Sequence, residues 1–413
     1  MNPSPARVTI VTEHWGEPSS EPATVTRLLA GALARSARVD VAHLAAGATS
    51  PSTRRDSVFH VHELPLRGAR PLRAALLRTA LSTPAGGGAD RMRARIPEDL
   101  EALLEAEGGH AGGLSELLSS LSPDAVVLCG AEQHADLSAL EGRGTRPRVV
   151  FLPILDGLDK ARSAAVGRLV GRADKVLSVH PGEHEALLAA YPARGGDIVP
   201  LEAALPVNRS ATDQLLFGVH WFGTYVLLIR AFPPATPRYE RSVTRELLTS
   251  LLGVSVAEVD GDRFTISDGE NTVELPVNPT RVNLWRLMAH AEATIDARPP
   301  GPLGQEAIES LLLGTPVVVP AGSAAHAIAR ASGGGFGYED LGGLLDAGRA
   351  LLKEGASHRF GVAGRSWAEA THGDMSRFVA RASELVLGGG ARGRLQPAAS
   401  SSATSPSRMS DSE

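Results

Sequence analysis

The sequence predicts an α/β protein built from two doubly wound domains that face each other across a cleft. Three observations predict it. Short β-branched runs alternate with stretches of helical apolar spacing along most of the chain. The alternation starts over after residue 203, so there are two such sets. Finally, the stretch Ala297–Pro320 reads as a Pro/Gly loop, a short helix around Glu306 and Glu309, a Gly-Thr-Pro turn and the run Val317–Val319. With Ala293–Asp296 as the strand before it, this is the grammar of a parallel βαβ unit.

The elements follow in order. Arg7–Thr12 is a strand, Glu13–Pro22 a polar loop, Ala23–Leu33 a helix and Val39–Leu44 a second strand. Ser57–Leu64 alternates as a third strand and puts His60 and His62 on one face, where a solvated face is favoured over a metal pair. Leu66–Arg95 interleaves leucine with arginine, as in a basic helix that could touch anionic lipid, although a solvated helix and loop is favoured. Pro97-Glu98-Asp99 opens a helix, with acids near its positive end. Asp124–Cys129, Arg148–Leu152, Asp174–Val179 and Gly196–Pro200 are strands, and a linker is expected around Glu202–Ser210.

The second set begins with strand Tyr225–Ile229, which ends on Arg230, and helix Glu240–Leu252. Val254–Val259 and Arg263–Ser267 flank Asp260-Gly261, a hairpin signal, and Asn271–Leu275 continues the alternation. Helix Asn283–Ala291 precedes the βαβ unit. Helix Ala324–Ala331, a glycine loop at Gly333–Gly337 and helix Leu341–Leu352 follow it. Residues 388–413 are Gly/Ser/Ala/Pro-rich and cannot bury a core, so they are expected to be disordered.

Bulk chemistry excludes several function classes. The 413 residues carry a net charge of -5, which gives no argument for nucleic acid. One cysteine, Cys129, allows neither a disulfide framework nor a cysteine metal site. No apolar run is long enough to span a bilayer, and the N-terminus enters a strand without a signal-peptide core. The expected location is cytoplasmic, with peripheral contact at the inner membrane face if the arginine-rich segment binds lipid. Heavy Ala, Gly and Arg usage points to a GC-rich, actinobacterial genome.

The run Gly314-Thr315-Pro316-Val317-Val318, with Glu309 and Gly304 upstream, resembles the donor-binding signature of GT-B glycosyltransferases of the family 4 type. That resemblance implies the GT-B fold of two Rossmann-like domains. Residues 1–203 would be the acceptor side and 204–387 the sugar-nucleotide donor side. It implies a retaining transferase that moves a hexose from a nucleotide diphosphate sugar to a hydroxyl acceptor, whether lipid, polysaccharide or small molecule. Such a reaction works by positioning and electrostatics and needs no cofactor beyond the co-substrate. No metal is expected, because Asp260-Gly261-Asp262 reads as a hairpin turn.

Candidate residues follow from this chemistry. Arg230 ends an apolar strand, where a guanidinium can fork onto phosphate, and matches the family's Gly-Arg arginine. The alternative is a structural salt bridge. Ala235 stands at the family's phosphate-binding lysine position, and Arg238 is the nearest substitute. Glu309 matches the ribose-binding glutamate, an acceptor-only group suited to a vicinal diol. Gly304 and Gln305 would offer backbone N–H groups to sugar or phosphate. Glu306 could replace the sugar-side glutamate, whose position is Gly301, or lie on a solvated helix face.

On the acceptor side, Ser20, His134 and Asp156 are the candidates. Ser20-Glu21 stands where relatives carry Gly-Gly. A carboxylate beside a diphosphate is repelled by a few kcal/mol at an effective dielectric near ~20. Glu21 therefore either points away or gives the loop another use. Four departures (Gly301, Ala235, Ser20-Glu21 and no histidine after Leu152) support an alternative: a catalytically silent GT-B protein acting as a binding or regulatory partner. An epimerase or phosphorylase is a weaker reading, and no lysine is placed for pyridoxal phosphate.

Overall fold

The computed structural model describes residues 5–15, 20–45, 48, 50–65, 113–130, 146–155, 158–216, 219–231, 245–260, 263–275, 280–298 and 303–388. Two sheets organise the chain. The first contains β1 (Ala6–Thr12), β2 (Ala37–Ala45), β3 (Ser52–Asp56), β4 (Phe59–Pro65), β5 (Ala125–Cys129), β6 (Arg148–Leu152), β7 (Lys175–Ser178) and β8 (Ile198–Pro200). Their order is β3-β4-β2-β1-β5-β6-β7-β8, all parallel except the β3–β4 pair. The second contains β9 (Tyr225–Ala231), β10 (Ser255–Asp260), β11 (Arg263–Ser267), β12 (Thr272–Glu274), β13 (Thr294–Asp296), β14 (Val317–Pro320) and β15 (Gly335–Tyr338). Their order is β12-β11-β10-β9-β13-β14-β15, with β10 to β12 antiparallel and the rest parallel.

The described helices are α1 (Glu21–Leu33), α2 (Leu114–Leu121), α3 (Ala164–Arg172), α4 (Pro181–Ala190), α5 (Arg245–Leu252), α6 (Arg281–His290), α7 (Gln305–Leu313), α8 (Ala324–Ser332), α9 (Leu341–Leu352), α10 (Ala356–His372) and α11 (Met375–Leu387). Both faces of the central strands are buried, as parallel sheets covered by helices require; β5 is buried at every position. One apolar cluster runs through both halves. It joins Ile10, Leu29 and Leu33 of the first half to Leu303, Ile308 and Val317 of the second. It also includes Phe378, Ala382 and Val386 of α11. That helix packs back on α1, and Ser383 Oγ lies 2.8 Å from Ser36 Oγ.

In each sheet the chain reverses direction beside its first strand. From β1 it winds outward through β2 and then returns to β5 on the other side. From β9 it winds through β10 and returns to β13. The two topological switch points therefore lie at the carboxyl ends of β1/β5 and β9/β13. Open α/β sheets gather ligands at such points.

Four expectations need correction. The polar run Ser52–Asp56 forms edge strand β3, paired antiparallel to β4 across a turn at Ser57, whose φ is 57°. Helix α1 starts at Glu21, inside the expected loop. Helices α10 and α11 have no counterpart among the expected elements. The supposed glycine loop ends in strand β15, and its glycines answer to packing rather than turning. A Cβ on Gly335 would lie 2.0 Å from the Val317 carbonyl oxygen, and one on Gly337 would lie 2.5 Å from the His326 ring. The expected hairpin is present, with Asp260 opposite Arg263.

Candidate functional site

Helix α7 begins at the second switch point. Its N-cap residue Gly304 has φ 65° and makes no side-chain cap. A Cβ there would approach the Ala325 backbone to 2.9 Å. Glycine is thus required twice, by the left-handed conformation and by the close pass of α8. The turn aims the N–H groups of Leu303, Gly304 and Gln305 at one point, beside the positive end of the helix.

The group at that point is Glu21. Its Oε2 accepts from Leu303 N at 2.8 Å and from Gly304 N at 3.3 Å, and its Oε1 accepts from Gln305 N at 2.9 Å. Glu21 is the first residue of α1, which follows the first switch point. Ser20 caps that helix, its Oγ accepting from Ala23 N at 3.3 Å. So the two switch points meet through one carboxylate. Burial and the neighbouring Glu306 raise the Glu21 pKa, opposed by Arg298 and by the N–H groups of Leu303 and Gln305.

Behind the nest lies a buried charge cluster. Arg298 forks onto Asp296, Nε to Oδ1 at 2.9 Å and Nη2 to Oδ2 at 2.7 Å, and its Nη2 also reaches Glu306. Arg281 donates from Nη1 to Glu306 at 2.6 Å and from Nε to Glu309 at 3.0 Å. Gln305 Nε2 donates to Glu309 at 2.9 Å. Burial would raise the Glu306 pKa, but Arg298 and Arg281 outweigh it and hold the carboxyl well below its usual range. Glu309 moves the other way. Burial and repulsion from Glu306 raise it against the pull of Arg281.

The sequence-derived candidates separate accordingly. Gly304, Gln305, Glu306 and Glu309 gather at the α7 N-terminus, with Glu306 and Glu309 both buried. Arg230 stands at the carboxyl end of β9 and donates to Glu258 of β10 at 3.1 Å, with Asp260 4.0 Å away. Arg245 lies 3.5 Å from the other oxygen of Glu258. Ser20 serves as the cap of α1. Arg238, His134 and Asp156 lie outside the described residues, as does the arginine-rich segment. Gly301, Ala235 and Asp262 lie outside them too.

Three residues of this region were not among the site candidates: Glu21 as the group in the nest, and Arg281 and Arg298 as its counter-charges. A signal existed for the last, since Arg298 sits between Asp296 and the Pro/Gly loop. None existed for the contact of Glu21 with a loop some 280 residues away.

His60 is exposed, while His62 Nδ1 pairs with Thr53 Oγ1 at 3.0 Å. Among the described residues no three His, Cys, Asp or Glu side chains group so as to hold a metal ion. Nor is any described helix long and apolar enough to cross a membrane.

No protein-family model and no curated protein matches the sequence. Solved structures do match. A sucrose-phosphate synthase from Thermosynechococcus elongatus is 15% identical with a TM-score of 0.58, over 92% of this chain and 98% of its own. A trehalose 6-phosphate synthase from Burkholderia multivorans is 13% identical with a TM-score of 0.55, over 95% of this chain and 100% of its own. Anabaena HepE, solved with UDP and glucose, is 12% identical with a TM-score of 0.55, over 92% of this chain and 98% of its own. Identities this low speak for the fold alone: the chain is an α/β protein of two domains with the GT-B fold of these glycosyltransferases.

Proposed function

We propose that the protein transfers a hexose from a nucleotide diphosphate sugar to a hydroxyl acceptor, with retention, as a metal-independent enzyme of the family 4 type. One observation carries this reading: the N–H nest of Leu303, Gly304 and Gln305 at the α7 N-terminus, set where the two switch points meet and already holding a carboxyl group. The same donors suit the oxygens of a diphosphate or the hydroxyls of its sugar.

In this reading Arg230 and Arg238 stabilise the departing diphosphate. Glu309 accepts from the ribose diol by giving up a hydrogen bond from Arg281 or Gln305, and Glu306 fixes Arg281 and Arg298 behind the nest. The bond from the anomeric carbon to the phosphate oxygen breaks with its electron pair leaving on the diphosphate. The acceptor oxygen bonds to the anomeric carbon on the same face, and its proton passes to the leaving phosphate. Ser20, His134 and Asp156 remain the acceptor-side candidates, and an acceptor on an anionic membrane would be met by the arginine-rich segment 66–95. HepE, solved with UDP and glucose, supports a donor of this class.

A second reading is a catalytically silent GT-B protein that acts as a binding partner. It is favoured by Glu21, which fills the nest that a donor would need. Calorimetric titration with UDP, GDP and ADP, followed by donor hydrolysis and transfer assays, separates the two. Binding of one nucleotide that weakens at least tenfold in Arg230→Ala and Glu309→Ala supports the donor site. Binding with neither hydrolysis nor transfer supports the silent protein. Binding of none of the three removes the donor site from both readings.

A further inference from the structure

We propose that Glu21 is an autoinhibitory latch: its carboxylate closes the donor nest from the opposite domain and, beside the apolar cluster the two halves share, helps hold them together until an anionic ligand displaces it. The proposal rests on the donor-site reading of the nest for the identity of that ligand, a nucleoside diphosphate, but not for the latch itself.

Four observations carry the latch. The contact crosses between domains, since Glu21 opens α1 at the end of the loop after β1 and its donors open α7. It uses all three converging N–H groups of the turn. Those groups are the unmade backbone donors of a helix start, so any anion that enters must compete for the same hydrogen bonds. And Glu21 is a strained occupant. It faces Glu306 across the nest, while Asp296 and Glu309 bring the acids of the region to four against the two guanidiniums Arg281 and Arg298. A latch held tightly by its donors and poorly by its acidic neighbours is one a diphosphate can exchange. The diphosphate meets the same acidic neighbours, so its nucleoside contacts and the rehydration of Glu21 drive the exchange.

Glu21 lies outside the apolar cluster, and the cap of α1 is supplied by Ser20, so its replacement leaves the helix start intact. Glu21→Gln keeps the shape and removes the charge, placing an amide NH2 against one of the donors. Glu21→Ala empties the nest.

The experiment joins two readouts on wild type, Glu21→Gln and Glu21→Ala: small-angle scattering for domain opening, and UDP titration by calorimetry. The expected result is a larger radius of gyration in both variants and UDP affinity raised at least tenfold over wild type. If the variants open and none of the three proteins binds UDP, GDP or ADP, the latch stands and the donor-site reading falls. If wild type and variants bind UDP equally, the donor site stands and the latch is overturned. Identical scattering and identical affinity in all three overturn the latch as well. Circular dichroism of each variant establishes that the fold is retained.

Discussion

Arg298 and Asp296 form a two-pronged pair, Nε and Nη2 of the guanidinium meeting both oxygens of the carboxylate at 2.9 and 2.7 Å. The geometry matters because the pair sits at the carboxyl end of β13, and the same guanidinium neutralises Glu306. Arg298→Ala would leave Asp296 without its counter-charge inside the protein and leave Glu306 with Arg281 alone. We expect a loss of about 3–5 kcal/mol in urea unfolding, the scale for breaking a buried pair from one side. Arg298→Lys should recover only part of it, since an ammonium cannot make the fork.

Arg230 predicts a contrast between stability and binding. Its partner Glu258 retains Arg245 when Arg230 is removed. Arg230→Ala should therefore cost less than Arg298→Ala, roughly 1–2 kcal/mol for the one hydrogen bond lost, although the pair is largely buried. A fall in nucleotide affinity of tenfold or more, with no larger loss of stability, would mark it as a ligand residue. A large fall in stability with unchanged affinity would mark it as structural.

Glycines in and beside the edge strand β15 offer a test of packing against conformation. Gly333 has φ 61° and open space around it, so Gly333→Ala carries only left-handed strain, about 1–2 kcal/mol. Gly335 has no special φ, but its Cβ would lie 2.0 Å from a carbonyl oxygen of β14. Gly335→Ala should dislodge the strand and lower the thermal midpoint far more than Gly333→Ala. Equal midpoints would contradict the observed pairing of β15 with β14.

His180 makes stability depend on acid. It caps α4, its Nδ1 accepting from Glu183 N at 3.2 Å, and burial followed by the nearby His372 lowers its pKa to about 4. The folded state therefore binds a proton less readily than the unfolded chain, whose histidine titrates near 6.5. The stability is full above that value and is lost as pH falls from it toward about 4, by about 3 kcal/mol in all. His180→Asn keeps a good N-cap acceptor and should remove the loss of urea midpoint toward acid that His180 causes, leaving the opposite trend of Glu183, whose pKa burial raises to about 7. An unchanged slope would place the acid sensitivity elsewhere.

Much of the architecture was legible because it rests on local chemistry. Val8 to Val11, Val126 to Leu128 and Val317 to Val319 are β-branched or apolar runs that parallel strands need on both faces, and each forms its strand. Strand β3 escaped because Ser52–Asp56 is polar on both sides, as an exposed edge permits, and its place depends on β4. Strand β15 escaped because glycine reads as a breaker, whereas here Val317 and His326 leave room for nothing larger.

The site was legible by half. The turn at Gly304 and the acids on α7 follow from a short stretch of sequence. What those acids face does not. Glu309 suits a diol on chemistry alone, and only the fold brings Arg281 to it from the start of α6. Glu21 was readable as a group that does not belong beside a diphosphate, but its partners come from the far end of another domain.

Glu21 stands in the first turn of α1 and accepts from the N–H groups that open α7, so one carboxyl group lies beside the positive ends of both helices. The protein thereby fills the nest with a side chain of its own rather than with a dissolved anion. Without Glu21 the occupant would have to be drawn from solution. Occupancy of the nest would then follow the concentration and valence of dissolved anions, with sulfate more effective than chloride.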